Sequence, residues 1–154
     1  MAFENTEQIL LEKGIVHRHL QFDRPFESTQ DAANMIGVPV EQIAKTLVFG
    51  SATGAVVIIA SGTARVDNKK FKEEFGYRPV MLSADDLKRL TGFEPGCVSP
   101  VGIASRRIRL YMDMSLKNRG NVYPSDGTDR GAFEIMPDAL YVAADCLKTV
   151  DVCK

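Results

Sequence analysis

The chain has 154 residues, of which 45% are hydrophobic and 25% are charged, so its composition excludes a disordered or collagen-like protein. Its length is typical of one folding unit, and we expect a single domain over residues 1–154. A formal net charge of −1 excludes wholesale electrostatic coating of nucleic acid, although a local basic patch could still hold a phosphate.

The compartment is predicted from the first residues and from the cysteines. The amino-terminal segment lacks a basic stretch followed by a long apolar run, and no segment approaches the roughly 18 apolar residues of a membrane span. The chain has three cysteines, an odd number, and no CxxC pair; they are Cys97, Cys146 and Cys153. This argues against a disulfide framework and against a zinc knuckle. We therefore expect a cytoplasmic protein with free thiols and no contact with a membrane.

The first elements are a helix and a strand. Asn5 and Gln8 form a possible capping box for a helix over residues 6–13, and Gly14 follows as its end. Alternation over residues 16–22 predicts a half-buried strand, with Val16, Leu20 and Phe22 on the core side. On this pattern His17, His19 and Gln21 form the solvent-facing side.

A second helix and a hairpin follow. Ser28 caps a helix that Gly37 ends, and a short helical turn is predicted over residues 41–43. Two apolar runs, residues 46–49 and 55–60, flank a turn at residues 50–54 and predict a central hairpin with a buried second strand.

The remaining half alternates helices and short strands. Asp67 and Ser83 cap helices that end at Gly76 and Gly92. A loop over residues 92–102 precedes strands near residues 107–112, 121–123 and 132–135. Because hairpins recur without regular βαβ spacing, we predict an α/β fold with a mixed, largely antiparallel central sheet flanked by helices.

Several common chemistries are disfavoured. His17 and His19 are the only histidines, no GxSxG elbow is present, and no phosphate-binding loop of the GxxxxGK[ST] or GxGxxG type occurs. The two histidines could chelate a metal from one strand face, but no partner cluster completes a site, and solvent-facing strand residues are the simpler interpretation. We expect no metal and no cofactor.

Two features could carry chemistry. Lys45 lies at the entry of a buried strand, where a lysine is either exposed before the strand begins or paired with an anion such as a phosphate or a developing negative charge. The loop of residues 92–102 contains three glycines and two prolines, and it is either a structural connection or a set of N–H donors for an oxyanion. Cys97 in this loop could act as a nucleophile, but no histidine is obviously placed to activate it.

The ordered set of segments resembles the YbaK and prolyl-tRNA-synthetase-associated editing domain family. The matching stretches are residues 31–33, 43–49, 61–67, 96–102 and 111–116, and together they lie within about residues 27–140. The resemblance implies hydrolysis of the ester between a wrong amino acid and the 3′-terminal ribose of a tRNA. Such an activated ester needs an oriented water or substrate group and oxyanion stabilisation rather than a triad.

The resemblance also implies site residues. Lys45 corresponds to the family's essential lysine, which engages the terminal adenosine or its phosphate. The catalytic loop matches the family's GxxxP motif at Gly96, Cys97, Val98, Ser99 and Pro100. Residues predicted to contact the substrate are Thr46, Phe22, Thr29, Thr63, Gly102, Asp113 and Gly127, of which Asp113 and Gly127 fall at positions with a more structural role.

Three functions remain open. The first is a free-standing aminoacyl-tRNA deacylase that binds the tRNA 3′ end and works beside an aminoacyl-tRNA synthetase. The second is a non-catalytic module that binds a tRNA end or an amino acid and partners a synthetase. The third is a thiol hydrolase that uses Cys97. The chain departs from many relatives at Cys97 and around residues 123–127, which leaves the edited amino acid open.

Overall fold

The computed structural model describes residues 2–154, which form five α-helices and seven strands. The helices are α1 (Ala2–Glu12), α2 (Thr29–Ile36), α3 (Asn68–Phe75), α4 (Ala84–Thr91) and α5 (Pro137–Ala143). The strands are β1 (Arg18–Gln21), β2 (Ile43–Ser51), β3 (Gly54–Ser61), β4 (Ile108–Asp113), β5 (Tyr123–Pro124), β6 (Gly131–Glu134) and β7 (Thr149–Val150). None of the helices within residues 2–154 is both long and apolar enough to cross a membrane.

The main sheet is mixed, as predicted. Its strand order is β5-β2-β3-β4-β7, and its longest pairing is the antiparallel hairpin of β2 with β3. The pairings of β2 with β5, β3 with β4 and β4 with β7 are parallel. Strands β1 and β6 pair antiparallel in a separate two-stranded sheet. The α/β class with a mixed sheet flanked by helices is confirmed.

Strand β3 is the centre of the core because both of its faces are covered. Val57 and Ile59 pack in a cluster with Leu10 of α1, whereas Ile58 packs on the other face with Phe71 of α3. Burying each aliphatic side chain of this size contributes about 1.5–3 kcal/mol. The packing of β3 therefore holds the hairpin in the core, and the pairing with β3 fixes the backbone register of β2.

Three predicted helix caps are confirmed. The side chains of Ser28, Asp67 and Ser83 accept backbone N–H groups in the first turns of α2, α3 and α4. Each of these helices ends at a glycine in the left-handed conformation. An unsatisfied first-turn N–H is costly, so these short polar residues define where each helix begins.

Several local predictions were wrong. Helix α1 begins at Ala2, so Asn5 lies inside it and is no cap. The predicted sides of residues 16–22 were only partly right. Leu20 packs against a core cluster and Gln21 is exposed, as predicted, but Val16 is 88% exposed while the side chains of His17 and His19 are only 7% and 11% exposed. The reason is that both imidazoles reach carboxylates inside the protein, which outweighs the apolar pattern.

Candidate functional site

A cavity of about 470 Å³ opens where α2, the start of β2, the loop between α4 and β4, and residues 125–131 meet. Its volume falls in the range of roughly 300–1,000 Å³ that is usual for small-molecule sites. Six residues singled out from the sequence line it: Thr29, Lys45, Thr46, Gly96, Cys97 and Val98. The lysine of β2 and the glycine-containing loop therefore share one cavity, although about 50 residues separate them in the chain.

Lys45 is a partly buried cation at the edge of this cavity. Its Nζ donates a hydrogen bond to the carbonyl oxygen of Ala64, and no carboxylate pairs with it among residues 2–154. Burial lowers the pKa of Lys45; the Cys153 thiol opposes this shift and the positive charge of Arg65 adds to it. Because its hydrogen-bond partner is neutral, the ammonium keeps its positive charge and further N–H donors uncommitted. It can therefore bind an anion such as a phosphate or a developing oxyanion.

Thr46, the next residue of β2, also lines the cavity. Its Oγ1 is buried and has no hydrogen-bond partner within the described part of the chain. Leaving a hydroxyl buried without a partner costs free energy, and such groups often mark a ligand site. This hydroxyl is therefore a candidate partner for a polar group of a molecule that enters the cavity.

The loop between α4 and β4 supplies backbone donors. Gly96 has a φ of 83°, a left-handed conformation that favours glycine, and Cys97 N–H donates to the Glu94 carbonyl at 3.0 Å. In contrast, the N–H groups of Gly96 and Val98 have no partner among residues 2–154. Both residues line the cavity, so the oxyanion-hole hypothesis is narrowed from the whole loop to these two donors.

The end of the GxxxP segment lies behind the cavity wall. Ser99 is completely buried, and its Oγ accepts the N–H of Val101 at 3.3 Å. Pro100 is buried as well and does not line the cavity. The structure therefore places these two residues under the loop, where they support its path.

Cys97 lines the cavity, but its environment disfavours the thiolate. Burial raises the pKa of the Cys97 thiol, and the negative charges of nearby carboxylates raise it further; these are Asp129, Glu94 and Asp126. No histidine bonds to the thiol, since both rings are engaged elsewhere. A nucleophilic cysteine requires the opposite electrostatics.

The other five predicted substrate contacts do not line the cavity. Phe22 packs against Phe26, a wall residue, with ring centroids 5.6 Å apart, and Thr63 is exposed on the loop that carries Ala64. Asp113 is buried and accepts the N–H groups of Ser115 and Val152. Gly102 and Gly127 lie against side chains outside the cavity, those of Ile9 and Phe93 respectively.

Much of the wall was not foreseen from the sequence. The additional polar residues come from two segments: Glu27 and Ser28 precede α2, and Ser125, Thr128 and Asp129 lie within residues 125–131. The second segment had been singled out for its unusual composition around residues 123–127 and for Gly127, which does not line the cavity. Phe26 and Leu87 reach the wall through tertiary packing, for which neither periodicity nor turn chemistry gives a signal.

Known proteins resemble the chain over most of its length. The model of the aminoacyl-tRNA editing domain family matches residues 23–141. YwhH of Bacillus subtilis (strain 168), described as uncharacterized, is 36% identical over 135 residues, covering 87% of this chain and 85% of that protein. EbsC of Enterococcus faecalis (strain ATCC 700802 / V583), provisionally named a Cys-tRNA(Pro)/Cys-tRNA(Cys) deacylase, is 28% identical over 150 residues, covering 91% of each.

The fold has a solved counterpart. A crystal structure described provisionally as a trans-editing enzyme for prolyl-tRNA synthetase matches with a TM-score of 0.89 at 26% identity, covering 99% of this chain and 97% of that one. The family match spans well over half of the chain and includes β2, the 92–102 loop and residues 125–131. The chain belongs to the aminoacyl-tRNA editing domain family.

Proposed function

We propose that the protein is a deacylase that cleaves the ester between an incorrect amino acid and the 3′-terminal ribose of a tRNA. The observation that carries this proposal is the meeting of Lys45 with the uncommitted N–H groups of Gly96 and Val98 on one cavity. EbsC, whose name refers to the deacylation of Cys-tRNA, supports the same class of reaction. Editing of this kind places the protein in the cytoplasm with the translation machinery, beside an aminoacyl-tRNA synthetase.

The reaction needs charge stabilisation more than a strong protein nucleophile. A water, or a hydroxyl or thiol of the substrate itself, adds to the ester carbonyl carbon, and the carbonyl oxygen becomes an oxyanion. Gly96 and Val98 donate their N–H groups to that oxygen. Collapse of the intermediate breaks the bond to the ribose oxygen, which takes a proton and leaves as the free hydroxyl of the tRNA.

Lys45 acts on the tRNA side of the scissile bond. Its ammonium has one neutral carbonyl partner, so it can hold the phosphate of the terminal adenosine without giving up a carboxylate pair. Holding that end beside the loop converts the attack into a reaction between groups already in place. The Thr46 hydroxyl offers a hydrogen bond to a polar group of the acylated end.

The test is deacylation of a panel of mischarged tRNAs by the wild type, Lys45→Ala and Cys97→Ala. We expect hydrolysis of at least one mischarged tRNA, a loss of about 100-fold or more in Lys45→Ala, and activity within about tenfold of wild type in Cys97→Ala. Lys148→Ala is the matched control, because this exposed lysine pairs with Glu74 and lies outside the cavity wall.

Two outcomes would favour the other functions. Tight binding of the acylated 3′ end with no hydrolysis across the whole panel would identify a binding module. Loss of activity in Cys97→Ala with activity retained in Lys45→Ala would identify a thiol hydrolase. The raised pKa of Cys97 makes this the less favoured outcome, because it disfavours the thiolate.

A further inference from the structure

A chain of four hydrogen-bonded ionisable side chains runs from the half-buried Glu7 of α1 to the wall of the cavity. Glu7 contacts His17 Nε2 through Oε2 at 2.6 Å and His19 Nδ1 through Oε1 at 3.2 Å. His19 Nε2 then meets Oδ2 of Asp126 at 2.8 Å. The Asp126 side chain is only 1% exposed. The mechanism proposed above uses none of these four residues.

Both ring nitrogens of each histidine have a hydrogen-bond partner. His17 faces the Ile15 carbonyl oxygen through Nδ1 at 2.8 Å and the Glu7 carboxylate through Nε2. His19 lies between the carboxylates of Glu7 and Asp126. These contacts tie each ring to its neighbours and fix its orientation.

The pKa of the Glu7 carboxyl reflects its two histidine neighbours. Burial raises the pKa of the Glu7 carboxyl, but the hydrogen bonds and charges of His17 and His19 outweigh burial, so the pKa lies below its ordinary value. The His19 ring also packs against Phe133 of β6, with ring centroids 4.8 Å apart. His19 is thus faced by Glu7 from α1 and by Asp126 from the 125–131 segment.

Asp126 connects this hydrogen-bonded chain to the wall of the cavity. Its Oδ1 accepts the N–H of Thr128 at 2.8 Å and the Thr128 hydroxyl at 2.7 Å, and its main-chain oxygen accepts the Thr6 hydroxyl at 2.8 Å. Gly131 lies so close to the carboxylate that a Cβ at this position would overlap it. Thr128 and Gly131 are wall residues, so the carboxylate supports the wall directly from behind.

We propose that His19 and Asp126 are positioning residues for the editing site: their hydrogen bond holds residues 125–131 in the shape that receives the acylated tRNA end. This inference rests on the proposed deacylase function. His17 provides the internal comparison, because it is as buried as His19 and bonds the same Glu7 but does not contact the 125–131 segment. A role confined to binding Glu7 would make the two histidines equivalent.

The first test is amide hydrogen exchange of residues 125–131, which requires no substrate. We expect His19→Gln and Asp126→Asn to speed exchange of the Thr128 amide at least tenfold more than His17→Gln does, after matching the global stabilities by urea unfolding. Equal exchange in His19→Gln and His17→Gln would overturn the proposal.

The second test is kinetic. We expect His19→Gln to raise KM for the hydrolysed mischarged tRNA at least fivefold more than His17→Gln does, with a smaller effect on kcat. Equal KM values would overturn the positioning role. A wild type that hydrolyses no mischarged tRNA would defeat the proposed function instead, and the exchange measurements would still decide whether His19 holds the 125–131 segment.

Discussion

Thr46→Val should stabilise the protein while weakening its activity. The Thr46 hydroxyl is buried with no partner among residues 2–154, and an unpaired buried hydroxyl costs about 1–3 kcal/mol. Valine replaces that hydroxyl by a methyl group of similar shape and removes the cost. We expect the free energy of unfolding to rise by about 1 kcal/mol, which corresponds to about 2–4 °C in Tm for a domain of this size.

The same substitution removes a group that the proposed mechanism offers to the substrate. A neutral hydrogen bond contributes about 0.5–1.5 kcal/mol, so kcat/KM for a hydrolysed mischarged tRNA should fall about 2- to 10-fold. Gains in stability paired with losses in activity are typical of residues that serve a site rather than the fold.

Thr6→Val is the matched control, with the opposite expected sign. Thr6 is 2% exposed, and its hydroxyl donates to the main-chain oxygen of Asp126 at 2.8 Å. Valine there breaks a buried hydrogen bond and should lower the free energy of unfolding by about 1–3 kcal/mol. Urea unfolding at pH 7 measures both variants. A Thr46→Val variant less stable than the wild type would refute the reasoning, because the hydroxyl would then have a stabilising partner in the folded protein.

Three further variants test other parts of the site and of the fold. Cys97→Ser should keep deacylation within about tenfold of the wild-type rate. Iodoacetamide should label Cys97 of the wild type slowly at pH 7, because the raised pKa keeps the thiol protonated, and rapid labelling would contradict this. Gly131→Ala should lower the free energy of unfolding by about 1–3 kcal/mol in urea titrations, because the new Cβ overlaps the Asp126 carboxylate; an unchanged midpoint would show that the wall can yield. Hydrogen bonds from Arg24 hold the pKa of the Asp31 carboxyl at about 2, so the ion pair stabilises the fold fully above pH 3.8 and this contribution is lost as the pH falls toward 2. In Arg24→Gln, NMR titration should show the pKa of Asp31 moving up toward its ordinary value of 3.8. No movement would mean that the hydrogen bond from the Glu27 N–H is enough to keep this pKa low.

Local chemistry made part of the fold predictable. Ser28, Asp67 and Ser83 each satisfy an N–H group within three residues, so the helix starts could be located from neighbouring residues alone. The β2–β3 hairpin was also predictable, since its apolar runs and its turn are contiguous. Helix α5 was missed because its seven residues carry no side-chain cap and too short a pattern to detect.

Contacts between residues far apart in the chain could not be predicted from the sequence. Nothing near His19 in the sequence indicates that its ring is buried, because its carboxylate partners come from Glu7 and from Asp126, 107 residues away. Lys45 and the loop at Gly96 could be paired only through the family resemblance, and the structure brings both to one cavity. Which loop N–H groups are uncommitted depends on turn geometry that residue types do not specify.

The most direct measurement is a crystal structure with a stable amide analogue of 3′-aminoacyl-adenosine, which copies the scissile group but resists hydrolysis. The proposed mechanism predicts the analogue in the 470 Å³ cavity, with its carbonyl oxygen within about 3 Å of the N–H groups of Gly96 and Val98. Its adenosine should lie on the side of Lys45. An analogue bound elsewhere on the protein, or bound in the cavity with its carbonyl oxygen turned away from both N–H groups, would contradict the claim that this cavity cleaves the ester.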